Sequence, residues 1–211
     1  MKNNRAITAN WVGRKFVEFY SHDKSGAEIG RAAHNDYGVD AINIDYVKDA
    51  NNGQQDKADY FSPVDIVAYA DELPMIADSS QDFVFASHVL EHFPNPLGAL
   101  TEWYRIVKDN GWIILAQPEK TRMWDIDRPI TGLDITIDRH KRKFKSKSLP
   151  PHPPNGGSHW SVWTVGEFLK VVDWGNENEL FNLEIDNCID IITRNEFIVA
   201  YRVVKEVKNN E

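Results

Sequence analysis

The sequence has almost no cysteine and no long apolar segment. Cys188 is the only cysteine in 211 residues, so no disulfide can form within the chain. No apolar run approaches the roughly 18 residues that a membrane-spanning helix needs, and the first residues lack the apolar stretch of a cleavable secretion signal. From these absences we expect a cytoplasmic protein without an integral membrane segment.

Positive charge is also scarce. The chain has 24 Lys and Arg residues against 32 Asp and Glu residues, a formal net charge of −8 at pH 7. Because such a chain is poorly suited to general neutralisation of phosphates, we expect no nucleic-acid partner. The basic run RHKRKFKSK at residues 139–147 is the exception. It is typical of a solvated loop, although it could attract an anionic sugar nucleotide or a membrane-bound acceptor.

Short apolar runs alternate with helical patterns along the chain. The hydrophobic content of 42% is enough for the core of one domain, residues 1–211. Helices are predicted at residues 5–20, 95–111 and 164–174. Strands are predicted at residues 25–30, 39–46, 64–74, 82–89, 112–118, 180–191 and 195–204. This alternation predicts an α/β fold with a largely parallel sheet covered on both faces, closed by an antiparallel pair.

Residues 119–160 interrupt the alternation. They contain Pro129 and a second proline cluster in LPPHPPNGGSHW, with no clear helical or strand period. We therefore expect a long irregular excursion over the edge of the sheet. Loops of this length often carry function, so the segment is a candidate for binding a substrate.

The stretch SHVLEH, residues 87–92, raises the question of a metal. His88 and His92 stand four residues apart with Glu91 between them, which fits the H-x-x-E-H string of one zinc-peptidase class. Such a site needs a third ligand from a nearby helix, whereas the downstream histidines lie in irregular sequence: His140, His152 and His159. We therefore expect no metal at this motif, and His92 either packs at a helix start or takes part in chemistry.

A set of ordered motifs extends over most of residues 25–118. It includes an acidic-Leu-Pro turn, the strand entry SSQDF, the strand exit HVLEH and a helix followed by KDNG. This order resembles the class I S-adenosylmethionine-dependent methyltransferases, in particular their type 11-like subgroup. The resemblance implies a Rossmann-like, doubly wound, mostly parallel seven-stranded sheet with an antiparallel last strand, and S-adenosyl-L-methionine as the cofactor. The segment PEKTRMWDIDRPIT is similar to a subgroup that often accompanies sugar-polymer biosynthesis.

The resemblance implies a cofactor site at the carboxyl ends of the strands, where open parallel sheets bind ligands. Gly30 would let the main chain approach the ligand, and Glu28 would accept from the methionyl ammonium. Asp45, at the end of the second strand, would bind both ribose hydroxyls. The adenine would lie near Tyr69, Ala70 and Asp71, and the methionine moiety near Ser87 and His88. Tyr69 could equally be a core aromatic.

Two features depart from the family pattern. Ala32 stands where a further glycine is usual, and only about ten residues separate Gly30 from the next strand. The first helix is therefore expected to be very short or missing. These departures favour, as an alternative function, a non-catalytic S-adenosylmethionine-binding or scaffold protein, which would bind the cofactor without turnover.

The implied reaction is methyl transfer to a polar small molecule, with O-methylation of a sugar or glycoconjugate as the candidate chemistry. We expect residues 1–24 to form an N-terminal helix and residues 119–160 to form a lid that carries acceptor specificity. A base would assist a hydroxyl acceptor, and the candidates are His159 and His92. Other acceptor-site candidates are Arg128, Trp124 and Trp160, although Trp160 could simply pin the loop to the core. A homodimer is left open.

Overall fold

The computed structural model describes residues 4–31, 37–48, 63–149 and 159–205, with side chains described from residue 11 onward. The helices are α1 (Asn4–Ser21), α2 (Pro96–Ile106), α3 (Leu133–Lys141) and α4 (Val165–Glu177). The strands are β1 (Gly26–Ile29), β2 (Ile42–Asp45), β3 (Ile66–Val67), β4 (Gln81–Ser87), β5 (Val107–Pro118), β6 (Leu183–Ile191) and β7 (Glu196–Val203). The predicted N-terminal helix is confirmed as α1.

The seven strands of the described chain form one sheet in the order β3-β2-β1-β4-β5-β7-β6. The first five pair in parallel, while β7 runs antiparallel to both β5 and β6. The chain moves outward from β1 to β3 and then returns to β4 on the other side of β1. This reversal is the topological switch point. The arrangement confirms the Rossmann-like, doubly wound fold with an antiparallel last strand.

The central strands are apolar because both of their faces are covered. All four residues of β1 and the last five of β4 are buried. One face packs against α2 and α4 through side chains such as Trp103 and Phe168. The other face packs against α1 through Val17 and Tyr20. Each large apolar side chain buried in these layers contributes about 1.5–3 kcal/mol to folding.

The boundaries of several elements differ from the predictions. α2 ends at Ile106 instead of residue 111, and β5 begins at Val107 because Val107 pairs with Gln81. The intervening residues bulge out of the register, with Asn110 in the left-handed conformation at φ +58°. β3 has only two residues, where the prediction gave a longer strand and turn.

The segment predicted as irregular contains a helix. α3 lies within residues 119–160, so the expectation that His140 lies in irregular sequence is wrong. Between β1 and β2 the described residues form no helix, but Ala32 lies outside the described chain, as does His152. Within the described ranges, none of the helices combines the length and apolar character needed to cross a membrane.

Candidate active site

Gly30 forms the turn at the carboxyl end of β1. Its φ is +67°, a conformation that glycine adopts at no steric cost, and its amide donates to the carbonyl of Ile44 at 2.8 Å. A Cβ atom at this position would lie 2.7 Å from Cγ2 of Val89. The turn is therefore tight enough that even a methyl group at this position would clash with Val89.

Glu28 lies on β1, just before this turn, and is 2% exposed. Its Oε2 accepts from Nε of Arg31 at 2.5 Å, and Nη2 of Arg31 also donates to the carbonyl of Val39 at 2.8 Å. The glutamate is thus held by an arginine that is itself anchored to the chain leading into β2. Glu28 therefore lies where the predicted contact with the methionyl ammonium would form, but its carboxylate is already paired with Arg31.

Asp45 closes β2 beside an aromatic pair. Its Oδ1 accepts from the amide of Val47 at 3.2 Å, and burial raises the pKa of the carboxyl despite these backbone hydrogen bonds. Tyr46 and Tyr69 stack with ring centroids 5.8 Å apart and planes 17° from parallel. Tyr69 is 40% exposed, so it is not a core residue. The carboxylate and the two rings offer a hydrogen-bonding and stacking surface for a nucleoside.

Ala70 and Asp71 follow β3 and are tied to other parts of the fold. The carbonyl of Ala70 accepts from the indole N–H of Trp103 at 2.9 Å. Oδ2 of Asp71 accepts from the amide and the hydroxyl of Ser146, at 2.9 and 3.0 Å. Asp71 therefore connects the edge of the predicted adenine site to the 119–160 segment, a contact that the sequence did not indicate.

Ser87 and His88 lie at the end of β4, where the backbone of His88 is left-handed at φ +53°. Nε2 of His88 lies 2.8 Å from Oε2 of Glu196, which is fully buried at the start of β7. Burial would lower the pKa of His88, but the hydrogen bond to Glu196 together with the negative charges of Glu91 and Glu196 raises it overall. Burial would likewise raise the pKa of Glu196, but the hydrogen bond and the charge of His88 lower it.

Glu196 is the anchor of a buried polar network. Its Oε1 also accepts from the hydroxyl of Tyr37 at 2.6 Å and from Nε of Arg194 at 2.9 Å. The carboxylate is thus satisfied on both oxygens and fixes the direction of the His88 ring. In the H-x-x-E-H string, Nε2 of His88 is therefore engaged by Glu196.

A second polar cluster lies just after β4, where the end of the 119–160 segment packs against the chain. Glu91 and His92 belong to a 3₁₀ turn, Leu90–His92, whose Glu91 carbonyl accepts from the amides of Trp160 and Ser161. These bonds bring His159 next to the turn, with its ring 4.9 Å from that of His92. Nδ1 of His159 lies 2.9 Å from Oδ2 of Asp125. Both predicted base candidates are therefore in contact.

The other predicted acceptor residues surround this cluster. Trp124 is 63% exposed, and its ring lies 5.1 Å from that of His159. Arg128 donates from Nη2 to the carbonyl of His159 at 2.9 Å and lies 3.4 Å from Oδ2 of Asp125. Trp160 is buried, with the guanidinium of Arg139 over its ring at 5.4 Å. The structure brings Trp124, Arg128 and His159 together, whereas Trp160 also packs the segment onto the domain.

Three residues that organise these clusters were not identified from the sequence. Asp125 and Glu196 are distant in the chain from the histidines they hold. Glu91 was noted only as part of the zinc-peptidase string. An acid three residues before an arginine, as in DIDR, is a weak signal for Asp125, and a glutamate opening an apolar strand is a similar signal for Glu196.

Residues 25–115 match the family model described as Methyltransferase domain. The match covers the chain from β1 into β5, including every strand end that forms the proposed cofactor edge. This segment is similar to known methyltransferase domains. S-adenosyl-L-methionine is therefore the expected cofactor of the domain, as the sequence predicted.

Several solved structures share the fold of this chain. A SAM-dependent methyltransferase from Aquifex aeolicus is 13% identical with a TM-score of 0.57, covering 95% of this chain and 94% of that one. An enzyme from Mesorhizobium loti described as S-adenosylmethionine dependent is 13% identical with a TM-score of 0.55, covering 92% and 97%. One from Methanosarcina mazei is 17% identical with a TM-score of 0.53, covering 90% and 98%. Among curated proteins no sequence matches the chain.

The residues at the carboxyl edge fit this cofactor. The turn at Gly30 is a tight left-handed turn without a side chain, and Asp45 ends the neighbouring strand with a carboxylate suited to two vicinal hydroxyls. Tyr46 and Tyr69 supply flat surfaces beside it. When bound, the cofactor supplies a methyl group on a positively charged sulfur, which is the chemistry that the second cluster can use.

Proposed function

We propose that this S-adenosylmethionine-dependent methyltransferase acts on a polar small molecule, and that the favoured acceptor is a hydroxyl of a sugar or glycoconjugate. The observation that carries the proposal is the buried Asp125–His159 pair, with Nδ1 of His159 2.9 Å from the carboxylate. A carboxylate only accepts hydrogen bonds, so this contact puts the ring proton on Nδ1 and the lone pair on Nε2. Nε2 can then accept a proton.

The proposed division of labour follows from the two clusters. Gly30, Asp45 and the tyrosine pair hold the cofactor, while Ser87 and His88 lie beside its methionine part. Nε2 of His159 takes the proton of the acceptor hydroxyl as the oxygen attacks the methyl group, and Asp125 stabilises the imidazolium that forms. The sulfur leaves as a neutral thioether, so the remaining requirements are alignment and exclusion of water.

The surroundings of His159 support a polar, ring-shaped acceptor. Trp124 presents an exposed ring beside it, and aromatic faces of this kind pack against the apolar faces of sugar rings. Arg128, fixed by Asp125 and by the carbonyl of His159, supplies directed donors for hydroxyl or anionic groups. We include Trp160 as a wall of the same pocket. A cytoplasmic setting and a homodimer remain part of the proposal.

Labelled methyl transfer tests the proposal directly. Purified protein is incubated with methyl-labelled S-adenosylmethionine and polar small-molecule fractions of a cell extract. His159→Ala should lower turnover about a hundredfold or more, because general-base assistance contributes about 10²–10⁴-fold. The matched control is His22→Ala, which removes an exposed histidine at the end of α1. Calorimetry should give the same affinity for S-adenosylhomocysteine in all three proteins.

Full activity of His159→Ala across about pH 6–9 would remove His159 as the base, leaving His92 or a mechanism without a base. A second candidate function, cofactor binding without catalysis, is favoured by the Arg31 contact. The carboxylate of Glu28 is already engaged by that side chain, which alters the expected methionine site. Tight binding of S-adenosylhomocysteine together with no transfer to any fraction would support this second candidate.

A further inference from the structure

Glu91 is a buried carboxylate without a hydrogen-bond partner in the described chain. Its side chain is 1% exposed, and neither Oε1 nor Oε2 has a hydrogen bond within the described ranges. Nε2 of His92 lies 3.9 Å from Oε1, beyond hydrogen-bonding distance. An isolated carboxylate is costly to bury, and buried charges are normally paired or coordinate metals. A cation bound at Glu91 would satisfy these two oxygens.

Two imidazoles stand next to this carboxylate. The potential ligand atoms of Glu91, His92 and His159 all lie within 4.8 Å of one another. Two histidines and one carboxylate are a donor set found in catalytic zinc sites and in other sites for first-row divalent metals. Small side-chain rotations would bring these atoms to the zinc–ligand distances of about 2.0–2.2 Å.

The surroundings of His159 also suit a metal ligand. Asp125 accepts from Nδ1, which leaves Nε2 of His159 available as a ligand atom, and the ring lies 4.9 Å from that of His92. Histidines that bind metals commonly donate their other ring N–H to a carboxylate in this way, which fixes the ring and raises its basicity. Arg128 offsets part of the negative charge of Asp125, from which it lies 3.4 Å away.

We propose that Glu91, His92 and His159 bind a divalent transition-metal ion, with Zn²⁺ as the representative species. The proposal departs from the expectation that the chain holds no metal. That expectation rested on a missing third ligand, and the fold supplies one by bringing His159 to the turn after β4. His88, which the zinc-peptidase string would require, is directed to Glu196 instead and has no part in the site.

The inference deepens the proposed function and rests on it for its catalytic consequence. Three protein ligands leave a coordination position open for the acceptor oxygen, whose hydroxyl proton a Lewis acid makes easier to lose. The proton then passes to solvent, the oxygen–methyl bond forms, the carbon–sulfur bond breaks, and its electron pair stays on the sulfur. With the cation bound, Nε2 of His159 is a ligand and not the base, so His159→Ala lowers turnover in either form.

Isothermal titration of the full-length, untagged protein with Zn²⁺ tests the site, with Mg²⁺ as the control ion because it prefers oxygen ligands. Wild-type protein should bind one Zn²⁺ and no Mg²⁺. Glu91→Gln and His92→Ala should each weaken Zn²⁺ binding by about tenfold or more, and Asp125→Asn by about 10–100-fold through His159. His22→Ala is the matched control and should bind like wild type. Thermal unfolding without metal identifies any variant that fails to fold, and the partly exposed His92 is the variant least prone to this failure.

Two results would overturn the site: no Zn²⁺ binding by wild type, or binding that is the same in His92→Ala and Asp125→Asn, which would assign the ion to other groups. The failure of the metal proposal is separable from failure of the proposed function. Binding of S-adenosylhomocysteine and methyl transfer without Zn²⁺ binding would retain the function and reject the site. Zn²⁺ binding that depends on Glu91 and His92, without methyl transfer to any acceptor, would do the reverse.

Discussion

At the residue scale, Asp45 is the side chain on which ribose binding depends most. Its carboxylate ends β2 and accepts a backbone hydrogen bond from Val47. Two ribose hydroxyls donating to it would form charge-assisted hydrogen bonds. Asp45→Ala should therefore weaken binding of S-adenosylhomocysteine by about 1–3 kcal/mol, measured by calorimetry. The exposed neighbour Asp40 provides the control Asp40→Ala, and equal affinities in the two variants would show that the ribose is held elsewhere.

The His88–Glu196 pair should make stability depend on pH. The raised pKa of His88 gives a contribution that is complete below the ordinary imidazole pKa of 6.5 and is lost as the pH rises through the higher folded value. The lowered pKa of Glu196 gives a contribution that is complete above 4.5 and is lost as the pH falls. The pair is therefore most stabilising between these two ordinary values.

His88→Asn tests this dependence, because asparagine tolerates the left-handed backbone and does not titrate. Urea unfolding at several pH values between about 5 and 9 should show wild type losing stability relative to the variant as the pH rises past 6.5. A constant difference in the free energy of unfolding between wild type and His88→Asn over this range would mean that His88 and Glu196 do not form a charged pair.

Some features of single residues could be predicted from the sequence, and others could not. Gly30 and Asp45 were predicted because their positions follow directly from local strand ends. The pairing of His159 with Asp125, 34 residues apart, and of His88 with Glu196, 108 residues apart, depends on how the 119–160 segment and β7 return to the sheet. No local pattern encodes that return, so the partners could not be predicted.

At the scale of elements, the turn between β1 and the following chain requires a glycine. Gly30→Ala would place a methyl group 2.7 Å from Val89 and force a left-handed conformation that costs about 1–2 kcal/mol before the clash is counted. Gly166→Ala, at the start of α4, has open space around it and should leave stability unchanged or slightly higher. Urea unfolding should give a lower free energy of unfolding for Gly30→Ala than for Gly166→Ala. Equal values would show that the turn accommodates the added methyl group.

Helices and strands were predicted well where a buried face requires apolar residues at regular spacing in the sequence. β1, β4 and α2 have continuous or regularly spaced apolar residues because neighbouring layers cover them. α3 was missed because only Thr136 is buried along it and Ile135 is 44% exposed, so no apolar stripe marks the helix. The early start of β5 depends on pairing with Gln81, which is again a tertiary effect.

At the scale of the whole molecule, the basic run 139–147 packs against the domain through part of its length. Arg139 donates to the carbonyl of Trp160, and Lys147 pairs with Glu72 at 2.8 Å. Ser146 donates twice to Asp71, beside the predicted adenine site. Through Ser146 the run therefore contacts Asp71, beside the predicted adenine site.

This connection predicts that cofactor binding and the acceptor segment are coupled. If the Asp71–Ser146 contact must open before the ligand leaves, S-adenosylhomocysteine at about 100 times its Kd should slow amide exchange around Ser146 by up to about 100-fold. The edge strand β6 lies at the far side of the sheet and serves as the internal control, because its exchange should not change. Asp71→Ala removes the acceptor of both Ser146 bonds and should abolish most of the slowing while binding persists. Equal slowing in wild type and Asp71→Ala would show that the ligand protects the segment by another contact, and no slowing in wild type would show that the acceptor segment moves independently of the cofactor site.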